Sequence, residues 1–369
     1  MITKIYLYHF KCFEHITIPL ANLTLLTGLN GMGKSSVIQS LLVLRQSHQQ
    51  RLLPDKGLAL NGELINLGTA KAVLYEEALE DTFGITLACQ HPASRAELVV
   101  DYAKDLDVLK MHTHNVDPAF FQESLFTDRF QYLQAERSGP RVTFPVSEHH
   151  VRQHRQLGVQ GEYCSHFLDI FGRTWSTLPA LCHERGRSGD LIDQVAAWLG
   201  DISPGIDLHI DTYNHMDVVN LEYSYMTSKG SSGHFRASSV GFGITYTLPV
   251  LVAILSAQPG SLLIMENPEA HLHPRGQTLI GELIAKAAQA GVQVIVETHS
   301  DHILNGIRVA VRQGQCAPEQ VAIHYFARRE EDGRAQSFLE SPKIDQNGRI
   351  DHWPPGFCDE WECSLEKLF

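Results

Sequence analysis

The N-terminal part of the chain shows two hydrophobic patterns, one typical of strands and one typical of a helix. Residues 4–10 (KIYLYHF) alternate and are rich in β-branched and aromatic side chains, and residues 15–19 and 23–27 continue the strand character. The third run leads directly into a glycine-rich turn. Apolar residues then recur at helical spacing over residues 35–46. This pattern predicts three strands, a tight turn and a helix.

Short apolar runs define a second group of elements in the C-terminal part. Residues 261–265 (SLLIM) and 292–296 (VQVIV) have the character of buried parallel strands, with a helix predicted between them over residues 278–290. Another apolar helix is predicted over residues 245–257. Strand–helix–strand order implies a parallel sheet with helices on its faces, so we expect an α/β protein.

Composition excludes some classes of function. The chain has 369 residues, 43% of them hydrophobic and 20% charged, which is ordinary for a globular enzyme. It has no apolar run of the about 20 residues that would span a bilayer, and residues 1–10 do not resemble a signal peptide. We therefore expect a cytoplasmic protein with no membrane partner. The net charge of −12 means that contact with nucleic acid would need a local basic patch.

The seven cysteines are odd in number and widely spaced, which does not suggest a disulfide framework. Only Cys358 and Cys363 lie close together, and no second pair stands near them to complete a zinc site. Free thiols are the expected state.

The glycine-rich turn carries the strongest motif in the chain. Residues 28–35 (GLNGMGKS) match the pattern G-x-x-x-x-G-K-[ST] between a predicted strand and a predicted helix. Such a loop turns backbone N–H groups around a phosphate, Lys34 reaches the β- and γ-phosphates, and the Ser35 hydroxyl is a Mg²⁺ ligand. ATP and Mg²⁺ are therefore the predicted cofactors. The candidate binding residues are Asn30, Gly31, Met32, Gly33, Lys34, Ser35 and Ser36.

The second motif is the apolar strand that ends at Glu266. A carboxylate at this position would hold Mg²⁺ directly or through water, on the side away from the phosphate loop. The pattern is weak alone because many strands end in glutamate, and the complete phosphate loop makes it persuasive.

Several segments resemble the RecF/OLD/SMC branch of ABC-type ATPases. They are residues 266–274 (ENPEAHLHP), residues 297–301 (ETHSD) and residues 10–13 (FKCF) before the phosphate loop. Within that branch the chain is most similar to compact bacterial AAA-domain proteins often associated with antiphage defence. Residues 353–360 (WPPGFCDE) match their tail motif, and residues 133–141 (LQAERSGPR) match more weakly.

The resemblance implies an α/β fold, an ABC-type P-loop ATPase head with a mixed or parallel sheet flanked by helices. We expect residues 1–100 to form the N-terminal part of the head and residues 201–340 the C-terminal part. Residues 101–200 would form an inserted, mostly helical lobe, and residues 341–369 a tail. No heptad pattern is sustained over several turns, so no long coiled-coil arm is predicted.

The resemblance also implies roles for individual residues. Glu266 would be the Mg²⁺-side carboxylate, His299 the switch histidine at the γ-phosphate, and residues 271–274 the loop that crosses to a partner subunit. An alternative for His271 and His273 is simple hydrogen bonding at a helix start.

The residue after the Mg²⁺-side acid departs from the pattern of many ABC-type heads. They place there a glutamate that polarises the attacking water, whereas this chain has Asn267. An amide can orient water but cannot accept its proton. Either positioning alone supports slow turnover, or Glu269 serves as the base. Weak ATPase activity is expected.

A Ser/Gly-rich stretch, residues 238–244 (SSVGFGI), is the candidate signature segment. It would offer a hydroxyl, bare N–H groups and a helix start to the γ-phosphate bound by a second copy. Its candidate nucleotide-binding residues are Ser239, Gly241 and Gly243. The alternative is an ordinary glycine turn. If the assignment holds, ATP is sandwiched between two copies and the chain is a homodimer.

Three functions compete. The leading hypothesis is an ATP-gated, dimerising switch in a bacterial defence or DNA-maintenance complex, working with a separate effector protein. An ATP-dependent nuclease of the OLD type is the alternative, but 70 residues follow His299, fewer than the roughly one hundred of a typical nuclease domain. A nuclease would then be a separate chain. The third function, the ATPase subunit of a membrane transporter, agrees with the fold class, but the sequence of residues 266–274 fits it poorly.

Two features have no assigned role at this level. Arg137 and Arg141 either reach a phosphate or an acidic partner, or lie on the surface. The aromatic and proline-rich tail, residues 353–361, either docks a partner or packs on its own head.

Overall fold

A computed structural model describes residues 1–90, 94–213, 215–227, 230–331, 334–357 and 368. The chain divides into two compact units. Unit 1 comprises Met1–Thr127, Val321–Lys343 and Ile350–Phe369, and unit 2 comprises Asp128–Gln320 and Ile344–Arg349. Each unit is therefore assembled from segments distant in sequence.

The helices and strands are numbered in chain order. The helices are α1 Lys34–Gln49, α2 Cys164–Phe171, α3 Leu191–Ile202, α4 Phe242–Ser256, α5 Pro274–Gln289 and α6 Asp301–Arg312. The strands are β1 Ile2–Phe10, β2 Phe13–Pro19, β3 Leu23–Gly28, β4 Leu58–Ala59, β5 Thr82–Cys89, β6 Arg95–Asp101, β7 Val108–Leu109, β8 Met111–Val116, β9 Phe130–Leu133, β10 Phe144–Pro145, β11 Ile206–Tyr213, β12 Val218–Thr227, β13 Gly230–Ser231, β14 Phe235–Arg236, β15 Leu262–Glu266, β16 Gln293–Glu297, β17 Val321–Glu331 and β18 Arg334–Glu340.

Unit 1 contains an antiparallel sheet and the strand that leads into the phosphate loop. The antiparallel sheet has the order β2-β1-β5-β6-β8. Strand β3 pairs in parallel with β17, which pairs antiparallel with β18. Every residue of β3 is buried, and α1 is buried at Ser36, Val37 and Ile38, so the loop between them is anchored at both ends.

Unit 2 contains a parallel sheet and an antiparallel one. Strand β15 pairs in parallel with β9 on one side and with β16 on the other. Helix α5 connects β15 to β16 and packs on β16, which confirms the predicted strand–helix–strand unit. Strand β12 pairs antiparallel with β10, β11, β13 and β14. In a parallel sheet the carboxyl ends of the strands lie at one edge, so Glu266 and Glu297 end side by side.

Predicted element boundaries were mostly within a few residues of the observed ones. Helix α4 begins at Phe242 and α5 at Pro274, each earlier than expected, because a glycine turn and a proline at the first helical turn both permit an early start.

The predicted helical lobe differs from the structure more than the element boundaries do. Residues 101–200 include β8 and β9 along with α2 and α3, and the boundary between the units falls after Thr127. Strand β8 is an edge strand with mostly exposed polar residues, so it carries little hydrophobic pattern.

Among the described residues, none of the helices is both long enough and apolar enough to cross a membrane.

Candidate functional site

The phosphate loop begins where β3 leaves the sheet of unit 1. Gly28 has a φ of +128°, and a Cβ at this position would lie 2.2 Å from the carbonyl oxygen of Phe326 on the neighbouring strand. Gly33 has a φ of +112° and is the N-cap of α1. A side chain there would meet the Phe13 ring at 2.4 Å and Cys12 Sγ at 2.8 Å. The segment 10–13 thus forms the support beneath the loop.

Lys34 carries the positive charge of this loop. Its side chain is 3% exposed, and its ammonium donates to the carbonyl oxygens of Gly28 and Leu29, both at 2.8 Å. The ammonium therefore lies inside the curve of the loop. Backbone N–H groups at a helix start together with an ammonium group form a donor set suited to a polyphosphate.

The other predicted residues of the loop differ in exposure. Asn30, Gly31 and Ser35 are exposed and Met32 is half-buried, whereas Ser36 is buried with its Oγ 3.8 Å from Cys12 Sγ. A Cβ at Gly31 would meet no atom within 4 Å. The loop is therefore open on the side of Gly31 and packed on the side of Ser36.

In unit 2, Glu266 ends β15 and has its carboxylate held by the segment after β9. The Tyr132 hydroxyl donates to Oε1 at 2.9 Å, and the Ala135 backbone N–H donates to Oε2 at 3.3 Å. Burial raises the pKa of Glu266 above its usual range, and the bonds from Tyr132 and Ala135 and the charge of Arg137 offset part of this effect. The same burial, with Glu266 beside it, raises the pKa of Tyr132.

Glu297 is a neighbour that sequence reasoning missed. It ends β16 in direct register with Glu266 and is buried. The signal was available in the sequence, because residues 292–296 form an apolar strand that ends in glutamate in the same way as the strand before Glu266. Two carboxylates therefore lie next to each other at the carboxyl edge of this sheet.

Arg137 has a place that neither of the sequence alternatives foresaw. Its side chain is 2% exposed, so it is neither a surface arginine nor a group reaching outward to an acidic partner. Instead its guanidinium donates to backbone carbonyls, including those of Glu266 at 2.9 Å and Asn267 at 2.7 Å. Arg141, four residues further on, is exposed.

The residues after Glu266 turn sharply and contact the end of β16. Asn267 has a φ of 44°, a left-handed conformation that asparagine adopts more readily than most residues. Its backbone N–H donates to the Glu297 carbonyl at 2.8 Å. Glu269 Oε1 accepts from the His299 backbone N–H at 3.1 Å, and burial raises the pKa of Glu269. The structure thus brings Asn267, Glu269 and His299 together within unit 2.

The His299 ring is exposed while its backbone is fixed by Glu269. Ser300 follows as the N-cap of α6, its hydroxyl accepting from the Ile303 N–H at 3.1 Å. An exposed imidazole just after the carboxyl end of β16, on a backbone held by Glu269, can contact a ligand without a change in the fold.

The signature segment, residues 238–244, leads into α4. Ser239 and Gly241 are exposed, and a Cβ at Gly241 would meet no atom within 4 Å. Gly243 is different, because a Cβ there would lie 2.4 Å from the His271 carbonyl oxygen. Close packing against the segment 271–274 is therefore one reason for glycine at position 243.

The two histidines of the segment 271–274 have separate environments. The His271 ring packs on Phe242 and Tyr246, with ring centroids 5.1 and 4.6 Å apart. His273 is the N-cap of α5, and its Nδ1 accepts from the Arg275 N–H at 3.3 Å. The helix-start alternative thus holds for His273.

A surface cavity of about 300 Å³ lies beside this segment. Its lining includes Ile202, Gly241, Gly243, His271, His273 and Arg275.

The tail packs on its own unit as far as it is described. The Tyr325 hydroxyl donates to the Pro355 carbonyl at 2.9 Å, and Phe357 is 1% exposed against the Tyr325 ring. The Trp353 ring lies against the Phe357 ring, with centroids 5.3 Å apart and a tilt of 34°, and Trp353 stays 45% exposed. The remainder of the tail motif from position 358, with Cys358 and Cys363, lies outside the described residues.

Comparisons with known proteins identify the family and the fold. A family model described as "AAA domain, putative AbiEii toxin, Type IV TA system" matches residues 23–305, and one described as "Protein of unknown function (DUF3696)" matches residues 316–368. No curated protein matches the chain.

Two similar solved structures are heads of SMC proteins. One is an SMC head bound to the C-winged helix domain of ScpA, with 14% identity and a TM-score of 0.55 over 92% of this chain and 98% of that one. The other is an SMC head with an extended coiled coil bound to the C-terminal domain of ScpA derived from Pyrococcus furiosus. It has 12% identity and a TM-score of 0.53 over 100% and 99% of the two chains. These likenesses establish the fold and confirm the ABC-type α/β prediction.

With a complete phosphate loop at the start of α1, a carboxylate-terminated parallel strand and a family match over most of its length, this chain belongs to the family described as "AAA domain, putative AbiEii toxin, Type IV TA system" and has the fold of an SMC-type ABC ATPase head.

Proposed function

We propose that this protein binds ATP with Mg²⁺, hydrolyses it slowly, and uses it to join two copies of the chain into a switch that acts through a separate effector protein. The observation that carries the proposal is the phosphate loop. A complete motif lies between a fully buried strand and a helix, and its lysine ammonium lies inside the loop.

The residues fit both cofactors by their chemistry. A Ser35 hydroxyl and a Glu266 carboxylate are the hard oxygen ligands that Mg²⁺ prefers. Each Glu266 oxygen accepts a hydrogen bond from Tyr132 or Ala135, which fixes its orientation and leaves further lone pairs for the ion or its water. Bound Mg²⁺ would neutralise charge on the phosphates, and Lys34 would stabilise charge that develops as the γ-phosphoryl group leaves.

Slow turnover follows from the groups available to the attacking water. Asn267 can orient water but cannot take its proton. Glu269 can, and its backbone contact with His299 keeps it next to the proposed γ-phosphate sensor. Asn267→Ala and Glu269→Gln distinguish the two assignments, because the variant that removes the operative group should lose more of the phosphate release.

Dimerisation is supported by the surface around the signature segment. Phe242 is 51% exposed at the start of α4, and the nearby cavity exposes His273 and bare backbone at Gly241. An exposed aromatic ring beside polar groups is a common feature of protein interfaces. Ser239 and Gly241 would donate to a nucleotide held by the other copy.

A defence role is supported by the family description, which names a toxin of a toxin–antitoxin system. A protein partner is supported by the fold, because the two similar SMC heads are each bound to part of ScpA. We propose that ATP-dependent pairing of two copies controls whether an effector chain can bind them. A nuclease is one kind of effector that would fit this role.

The test is the molar mass measured by light scattering for wild type and Glu266→Gln, with and without ATP and Mg²⁺, followed by phosphate release. We expect ATP-dependent dimers, slow release by wild type, and a longer-lived dimer for Glu266→Gln. Lys34→Ala is the matched control and should remain monomeric. If wild type stays monomeric at saturating ATP, the shared-site mechanism is wrong and the phosphate loop is a simpler ATP pocket.

A further inference from the structure

One buried side chain contacts two functional segments of unit 2. Arg137 follows β9 and is 2% exposed. Its Nη1 and Nη2 donate to the carbonyl oxygens of Glu266 and Asn267, at 2.9 and 2.7 Å. Its Nε donates to the carbonyl oxygen of Tyr246 at 3.1 Å, and Nη1 also reaches Gln134 at 3.3 Å. All four acceptors are backbone atoms, so Arg137 holds main chain in place.

The two ends of this bridge belong to different parts of the proposed mechanism. Glu266 and Asn267 are the Mg²⁺-side acid and the water-orienting residue. Tyr246 lies in the first turns of α4, directly after the signature segment, and its ring lies 5.4 Å from the guanidinium carbon. A shift of α4 along its axis would therefore pull on the same side chain that positions the end of β15.

The contact extends to the segment proposed to reach the second copy. The Tyr246 ring packs on His271, and the His271 backbone lies against Gly243. The start of α4, the segment 271–274 and the end of β15 thus share one packed cluster with Arg137 at its centre.

The chemistry of this position requires arginine. A buried cation is costly unless each donor finds an acceptor, and a guanidinium directs donors along several fixed directions at once. A lysine ammonium is a compact group that would satisfy one side of the bridge and leave the other open. Burial lowers the pKa of Arg137 to about 10, so the group remains charged at neutral pH.

We propose that Arg137 is a positioning residue that couples the signature helix α4 to the end of β15, so that engagement of the signature segment by a second copy and the placement of Glu266 and Asn267 change together. This inference rests on the proposed function for its role in hydrolysis, whereas the mechanical link itself is a property of the single chain.

The first experiment measures the link without nucleotide. Hydrogen–deuterium exchange is followed in peptides covering residues 242–256 and 262–268, for wild type, Arg137→Lys, Arg137→Ala and the exposed control Arg141→Ala. Arg137→Ala removes both sides of the bridge and should raise exchange in both peptides, Arg137→Lys should raise it in at least one of them, and Arg141→Ala should match wild type. A rise confined to one peptide of Arg137→Ala, or none, overturns the coupling whatever the fate of the ATPase proposal.

The second experiment separates coupling from simple stability. The melting temperature of Arg137→Lys should lie closer to that of wild type than the melting temperature of Arg137→Ala does. Its affinity for a fluorescent ATP analogue should stay within about threefold of the wild-type affinity. Its kcat for phosphate release should fall by about 30-fold, the size expected when a charged hydrogen-bond set is broken. Tyr246→Phe keeps both the backbone acceptor and the ring, and should match wild type.

The outcomes distinguish the two proposals. If both the melting temperature and the kcat of Arg137→Lys lie close to the wild-type values, Arg137 is only structural and the coupling is wrong. If wild type itself releases no phosphate and forms no ATP-dependent dimer, the proposed function fails, and the exchange experiment alone then decides whether the link exists.

Discussion

Replacing Gly28 by alanine would add a single methyl group at the point where β3 leaves its sheet. That methyl would lie 2.2 Å from the Phe326 carbonyl oxygen, an atom of the paired strand β17 that cannot rotate away. The backbone at Gly28 also has a φ of +128°, which a side chain disfavours. Gly31, three residues further along the same loop, offers a matched comparison. Its φ is +78° and its added methyl would meet nothing within 4 Å.

The two substitutions should differ clearly in their effect on the free energy of unfolding. At position 28 the conformational strain costs about 1–3 kcal/mol and the displacement of packed main chain costs about 1–3 kcal/mol more. Their sum of roughly 2–6 kcal/mol is a large part of the about 5–15 kcal/mol that stabilises a typical domain. At position 31 only the left-handed conformation contributes, at about 1–2 kcal/mol.

Urea denaturation of the nucleotide-free variants measures this difference. A second measurement adds ATP and Mg²⁺, because saturating ligand at about 100 times its Kd stabilises by about 2.7 kcal/mol. We expect Gly31→Ala to fold and to lose much of that ATP-dependent increment, since its methyl faces the open side of the loop. If the free energy of unfolding of Gly28→Ala is no lower than that of Gly31→Ala, the assignment of Gly28 to close packing is wrong.

Other predictions follow from single contacts. Lys34→Ala should abolish the ATP-dependent rise in melting temperature, since it removes the buried ammonium of the loop; a rise equal to that of wild type would contradict this. Gly243→Ala should destabilise by about 1–3 kcal/mol through its clash with His271, whereas Gly241→Ala should lie within about 0.5 kcal/mol of wild type in denaturation and lose ATP-dependent dimer in light scattering. Burial lowers the pKa of His324, whose Nε2–H donates to the Pro19 carbonyl at 2.6 Å. The stability that this neutral histidine contributes is therefore present above the unfolded pKa of about 6.5 and lost as pH falls toward the folded value. His324→Gln should flatten the acid side of the unfolding free energy by up to about 1.4 kcal/mol per pH unit, and an unchanged slope would contradict the assignment.

Local patterns predicted much of the fold correctly. Strands β1, β3, β15 and β16 and helix α1 were expected from periodicity and lie close to their predicted positions. The edge strand β8 was missed because an exposed polar strand has no hydrophobic signal.

The candidate site likewise has a part that the sequence predicted and a part that it did not. The sequence alone determined the phosphate loop, because its function depends on contiguous residues and on the two elements that flank them. It also indicated Glu266, which ends an apolar strand, and the family to which these motifs belong.

Only the tertiary structure decided what surrounds those residues. Tyr132 and Ala135 hold the Glu266 carboxylate from positions more than a hundred residues earlier in the chain. The structure also places Glu297 in register beside it and makes Arg137, for which the sequence left a phosphate or partner contact and a surface position open, a buried link between two segments. These contacts arise from strand pairing and burial between distant segments, and no local pattern of side chains encodes which distant carbonyl a guanidinium will meet.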